Sequence, residues 1–190
     1  VLDSWVGFIN KSLPNLSKES LINKKDEDNL SLSLKDVLSE KEIQDIINFF
    51  IENEKITTKK DTIKLHYGTE QDGIVRSCFY DKNFAIILSK RINPFLNRIE
   101  IVDGKKYQLI GLNPLIRFIS YNKNEHRLIP HYDIPVTINK EKNITTIKTL
   151  VLYLNDANSG QTRFLKDTRK NSMDDSFQNF PIIKEQKPEK

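Results

Sequence analysis

The stretch that decides the reading runs Leu115-Ile116-Arg117-Phe118-Ile119-Ser120-Tyr121, crosses a polar loop at Asn122–Arg127, and resumes as Leu128-Ile129-Pro130-His131-Tyr132-Asp133. In an extended strand, residues two apart point to the same side, so His131 and Asp133 are expected to present an imidazole and a carboxylate to one point. A histidine with a carboxylate two residues on supplies two thirds of the facial triad that holds Fe(II) while leaving positions open. Alone the pattern is weak, because any strand with both residues on its polar face gives the same three letters.

Outward from this stretch, apolar residues alternate over short runs between 98 and 165: Ile99 and Ile101, Tyr107 and Leu109, Ile116 and Phe118, then Thr149 to Leu154. Strands are expected to dominate there. Two helices should precede them. Ser39 and Glu42 have capping-box spacing, and Ile43, Ile46, Ile47 and Phe50 recur at helical intervals, which predicts an amphipathic helix over roughly 39–54. Phe84, Ala85, Ile87, Leu88, Ile92 and Leu96 predict a second over about 81–97, with Pro94 marking its last turn or a kink. Between them Ile63–Tyr67 alternates like a strand, and Gly68–Gly73 supplies turn residues.

The ends are plainer. Residues 1–33 read as a polar extension or docking segment, with one apolar cluster around Trp5 and Phe8, and residues 34–190 as one domain. Within that domain the helical support spans 39–97, core strands begin at about 98, and 166–190 is a loop-rich tail. Two helices leading into antiparallel strands is an α+β order, consistent with a sandwich or barrel carrying helices on one side.

Composition sets the bounds. The chain has 190 residues, 30 basic against 26 acidic for a net charge of +4, with both signs interspersed. No nucleic-acid partner is expected from such a balance, and the basic run Lys166–Lys170 lacks the aromatic interleaving that stacks bases. The single cysteine, Cys78, excludes an internal disulfide framework and a cysteine-rich zinc site, which fits a reducing, cytoplasmic setting. No apolar run approaches the ~18 residues that cross a bilayer, so no membrane partner is expected. A Gly-x-Ser-x-Gly elbow and a phosphate-binding Gly-x-x-x-x-Gly-Lys loop are both missing.

Several segments together resemble the prolyl-4-hydroxylase-like 2-oxoglutarate-dependent oxygenases. Arg76-Ser77 and the helix ending Lys90-Arg91-Ile92 look like that family's lead-in. Arg117-Phe118-Ile119-Ser120-Tyr121 is similar to its R-F-x-x-Y strand, and Tyr153-Leu154-Asn155 to its Y-L-N strand. Ser159-Gly160-Gln161-Thr162-Arg163-Phe164 resembles its G-G-x-T-x-F turn, with Ser159 in place of the first glycine. The resemblance covers about residues 34–165. It implies a double-stranded β-helix of the jelly-roll, cupin-like type with supporting N-terminal helices.

The implied activity is that of an Fe(II)- and 2-oxoglutarate-dependent dioxygenase, a hydroxylase acting with O2 on an unidentified protein side chain or small molecule, with ascorbate as a conceivable helper. The implied iron ligands are His131 and Asp133, and the implied 2-oxoglutarate-binding residues Tyr121 and Tyr153. The family also needs a second histidine, followed by a basic residue, on a later strand. No histidine follows His131, and the others, His66 and His126, precede the motif. Truncation before the barrel's last strands is one account. The other is a catalytically inactive jelly-roll module that binds a protein or peptide in the same groove.

Overall fold

Helix α1 (Glu40–Thr57) starts where the capping box puts it. The Ser39 hydroxyl accepts from the Glu42 N–H at 3.3 Å, and the Glu42 carboxylate accepts from the Ser39 N–H at 2.8 Å, satisfying two amides that a helix start leaves unpaired. Helix α2 (Lys82–Ile92) is capped by Asp81, whose carboxylate accepts from the Phe84 N–H at 2.9 Å. It stops at Ile92 and passes into a 3-10 turn over Asn93–Phe95. Pro94 lies in that turn, where its lack of an N–H is tolerated. Both expected helices are therefore present, the second ending a turn earlier than its apolar pattern.

The computed structural model describes residues 8–9, 12–22, 24–27, 30–57, 74–121, 128, 130–157, 160–166, 168 and 180–188. The expected strand at Ile63–Tyr67, with His66, and the loop holding His126 lie outside them. The chain divides into two units, Val1–Asn122 and Lys123–Lys190.

In the first unit, β1 (Phe8–Ile9) pairs in parallel with β4 (Ile74–Tyr80), and β4 pairs antiparallel with β7 (Leu115–Tyr121), running from Ile74 opposite Tyr121 to Tyr80 opposite Leu115. Helix α1 lies against this sheet. The Phe79 ring, fully buried, meets Phe49 at 5.3 Å and Phe118 edge-on at 5.3 Å, while Phe50 stacks on Phe118 at 5.6 Å. Two hairpins complete the unit: β2 (Lys24–Glu27) with β3 (Leu32–Lys35), and β5 (Ile99–Val102) with β6 (Lys105–Gln108). Asp103 and Gly104 join β5 to β6 with φ of 50° and 72°, the left-handed pair of a two-residue type I′ turn.

A polar hub ties the N-terminal segment to both helices. Arg91, on α2, meets Glu42, on α1, through both guanidinium ends at 2.6 and 3.0 Å, and also donates to the carbonyls of Ser17 (2.6 Å) and Val37 (2.7 Å). The Ser17 N–H returns to Glu42 at 2.6 Å, and the Leu13 N–H donates to Asp81 at 2.8 Å. Leu13 and Leu16 are buried beside these anchors. Burial alone would raise the Glu42 carboxyl, but the Arg91 hydrogen bonds, the Ser39 and Ser17 amides and the Arg91 charge hold it at about 2.

The second unit holds two ribbons. Strands β8 (Thr137–Asn139) and β9 (Ile144–Thr145) form one, and β10 (Thr162–Leu165) and β11 (Ile182–Gln186) the other. Helices and strands are both present, but the double-stranded β-helix expected from the sequence is not what they build. Among the described residues, strands close into one three-stranded and four separate two-stranded sheets. A jelly roll needs ladders that pass from hairpin to hairpin and close two facing sheets. Here each hairpin satisfies its own ladder and stops. The segments Leu128–Asp133 and Thr149–Leu154, expected as strands, carry no strand ladder among their described residues.

Candidate functional site

The segment that carries His131 and Asp133 is the outer part of the β8–β9 ribbon. At its closed end, Asn139 and Lys140 turn the chain: the Asn139 side chain accepts from the Lys142 N–H at 2.9 Å, and the Asn143 N–H donates to the Lys140 carbonyl at 3.2 Å. Asn143 takes φ of 51°, which an asparagine tolerates better than most residues. Thr137 then faces Thr145, and Val136 and Thr146 exchange hydrogen bonds in both directions at 2.9 and 3.0 Å. Four residues further along each strand, in the same register, the Thr149 hydroxyl donates to the Asp133 carboxylate at 2.5 Å. Side chains there continue the ribbon after the backbone ladder has ended.

The structure does bring His131 and Asp133 together, with Nε2 of the imidazole 3.4 Å from a carboxylate oxygen. The local alternation is therefore as expected. Both side chains are about half exposed, and the second carboxylate oxygen is engaged by Thr149. Tyr121 ends β7 in the first unit and is 48% exposed. Tyr153 lies in the second, where its hydroxyl meets the Thr162 hydroxyl at 2.5 Å.

These positions do not assemble the implied centre. Among the described residues no group of three or more His, Cys, Asp and Glu side chains could hold a metal ion. Three protein donors converging on one point are what such iron sites rely on, and they come from strands of a closed sheet that the described residues do not form. The prolyl-4-hydroxylase-like reading, the Fe(II) and 2-oxoglutarate cofactors with ascorbate, the hydroxylase activity, and the pairing of O2 with an oxidised protein or small-molecule substrate are corrected on that ground. The inactive jelly-roll alternative falls with the fold. Of the expectation of a membrane-free, cytoplasmic protein, one part stands on structure: no described helix is long and apolar enough to cross a membrane.

The parity opposite to His131 and Asp133 is apolar. Tyr132, Ile134, Val136 and Ile138 repeat every second residue, and the register that pairs Asp133 with Thr149 sets Tyr132 across from Leu150. These are exposed by 67% at Tyr132, 79% at Ile134, 46% at Val136, 47% at Ile138 and 42% at Leu150. By contrast, the buried Leu, Ile, Phe and Ala side chains among the described residues all lie between Leu13 and Ile92, in the first unit, and the second buries Pro188 alone. The signal was present in the sequence, as the same two-residue period that put His131 beside Asp133.

From these exposures the stripe presents roughly 500 Å² of mostly apolar surface, at the upper end of what an ordinary monomer leaves to water. Its cation is Lys148, one step along from Thr149 and across from Ile134, and no acidic residue shares the stripe's parity on Tyr132–Ile138. Comparison of the chain with protein-family models, with curated proteins and with solved structures finds no match, so the functional reading rests on this geometry.

Proposed function

We propose that the chain is a protein-interaction module that docks a partner protein on the apolar stripe of the ribbon, on the parity opposite to His131 and Asp133. The observation that carries the reading is the contrast in burial: among its described residues the second unit exposes Ile134, Val136 and Ile138 and buries Pro188 alone, whereas Ile43, Ile46, Phe79 and Phe84 are buried in the first. A two-stranded ribbon without an apolar layer on one face is at best marginally stable in water. Covering the stripe would remove roughly 500 Å² of apolar surface from water, worth on the order of 10 kcal/mol before the cost of ordering both partners.

The occupant is a different protein rather than a second copy. A stable interface buries about 800 Å² on each side, more than this stripe offers, and a two-fold contact would bring only the same stripe to meet it. A partner can add contacts from outside the stripe.

A photo-crosslinking side chain placed at position 134 is expected to give one discrete adduct with a different protein, and Ile138→Asp should abolish it. The same side chain at position 141, in the turn, should give none. Adducts at twice the mass of this chain, or the same adducts from 134 and 141, would overturn the reading. Amide exchange in the ribbon of the purified pair should slow on complex formation, because the ribbon gains the layer it lacks.

A further inference from the structure

The β5–β6 hairpin in the first unit is turned inside out. Its ladder runs without a bulge from Ile99 opposite Gln108 to Val102 opposite Lys105, and the Leu109 N–H extends it to the Arg98 carbonyl at 2.9 Å. The type I′ turn at Asp103-Gly104 pins that register, so the faces cannot exchange by a one-residue slip without breaking the turn. In this register the half-buried Glu100 and Tyr107 share one face with the exposed Val102 and Lys105, and Ile99 and Ile101 lie on the outer one, 51% and 74% exposed. Ile110, two residues beyond Gln108 and of the same parity, is 68% exposed.

A β-branched pair facing water and a glutamate facing inward is the reverse of what a solvated hairpin needs. The charges around the outer face are of one sign. Lys106, exposed, sits on it directly across from Ile101, and no acidic side chain shares that parity, since Glu100 lies on the other face with Lys105 and Asp103 is confined to the turn. The aliphatic surface, roughly 350 Å², is less than half of what one side of a stable protein interface buries, so a second copy of this hairpin could not hold a dimer. It is the right size for a short linear segment.

We infer that the outer face of the β5–β6 hairpin binds an extended acidic peptide segment, with alternate aliphatic side chains on Ile99, Ile101 and Ile110 and a carboxylate toward Lys106. This surface is distinct from the ribbon stripe and does not depend on it. Peptide recognition of this kind takes specificity from alternate side chains and on-rate from charge.

The test uses the full chain, isotope-labelled, titrated with a capped peptide alternating aspartate and isoleucine and with a control alternating lysine and isoleucine. The acidic peptide is expected to shift the amides of Ile99–Gln108 with a dissociation constant below about 1 mM, and the basic control to bind at least about tenfold more weakly. Ile101→Ser and Lys106→Glu should each weaken the acidic peptide about tenfold or more, with amide shifts of α2 unchanged as the check on folding. Equal binding of the two peptides, indifference to the variants, or no shift in the hairpin would overturn the proposal. So would shifts in the same amides on dilution without peptide, which would mean self-association.

Discussion

Replacing Glu42 by glutamine should remove most of the stabilisation that joins α1, α2 and the N-terminal segment. The carboxylate accepts from both ends of the Arg91 guanidinium, at 2.6 and 3.0 Å, and from the amides of Ser17 and Ser39. Its side chain is 7% exposed and that of Arg91 1%, so water does not screen the pair. The carboxyl is held at about 2 against an ordinary 4.5. That displacement corresponds to about 3 kcal/mol of preference for the ionised form in the folded state. Breaking a buried ion pair from one side, which strands the other charge, costs about 3–5 kcal/mol in other proteins, the same range.

The pH dependence follows from the direction. Because the folded carboxyl ionises more readily than the unfolded one, its contribution is complete above about pH 4.5 and is lost as pH falls through about 2. Urea unfolding followed by helix ellipticity should show Glu42→Gln about 3 kcal/mol less stable at pH 7 and converging on the parent chain near pH 2. A double replacement, Glu42→Leu with Arg91→Met, should recover part of the loss, since it strands no charge. A glutamine variant within about 0.5 kcal/mol of the parent at pH 7, or one keeping the parent's full acid dependence, would refute the assignment.

Three further outcomes are expected. Phe79→Ala, at a fully buried ring touching Phe49 and Phe118, should destabilise the first unit by about 3–5 kcal/mol in the same urea assay. Asp81→Ala removes both the cap on Phe84 and the acceptor of the Leu13 amide, so it should cost about 2 kcal/mol and speed amide exchange in the first turn of α2. His131→Ala, by contrast, removes a half-exposed side chain whose contact to Asp133 is open to water, and calorimetric melting should register a change of no more than about 1 kcal/mol.

Local structure was legible wherever it rests on chemistry within a few residues. The Ser39 and Glu42 box predicted the start of α1, and the apolar period after Asp81 predicted α2. The extended run Leu115–Tyr121 is β7, and Arg76-Ser77 falls in β4, the strand paired with it. Arg91 illustrates the limit. In sequence it was one basic residue at a helix end, where an interaction with the last turn is ordinary. Its partners Glu42, Ser17 and Val37 are 49, 74 and 54 residues away, and no local pattern announces them.

The same limit explains the false expectation at His131 and Asp133. Alternation in an extended chain brought the two side chains within 3.4 Å, as read. A third donor, a co-substrate pocket and a closed barrel depend on which distant strands pair, and short similar segments at 117–121, 153–155 and 160–164 did not contain that information. Helix starts and the parity of each extended segment are set locally, because backbone sterics, capping and two-residue alternation act over short range. Only the tertiary structure decided which parity meets a core: it buried Leu13, Phe79 and Ile92 and left Ile101 and Ile134 in water. Burial of a face depends on the layer that packs against it, and that layer is supplied from far along the chain or by another molecule.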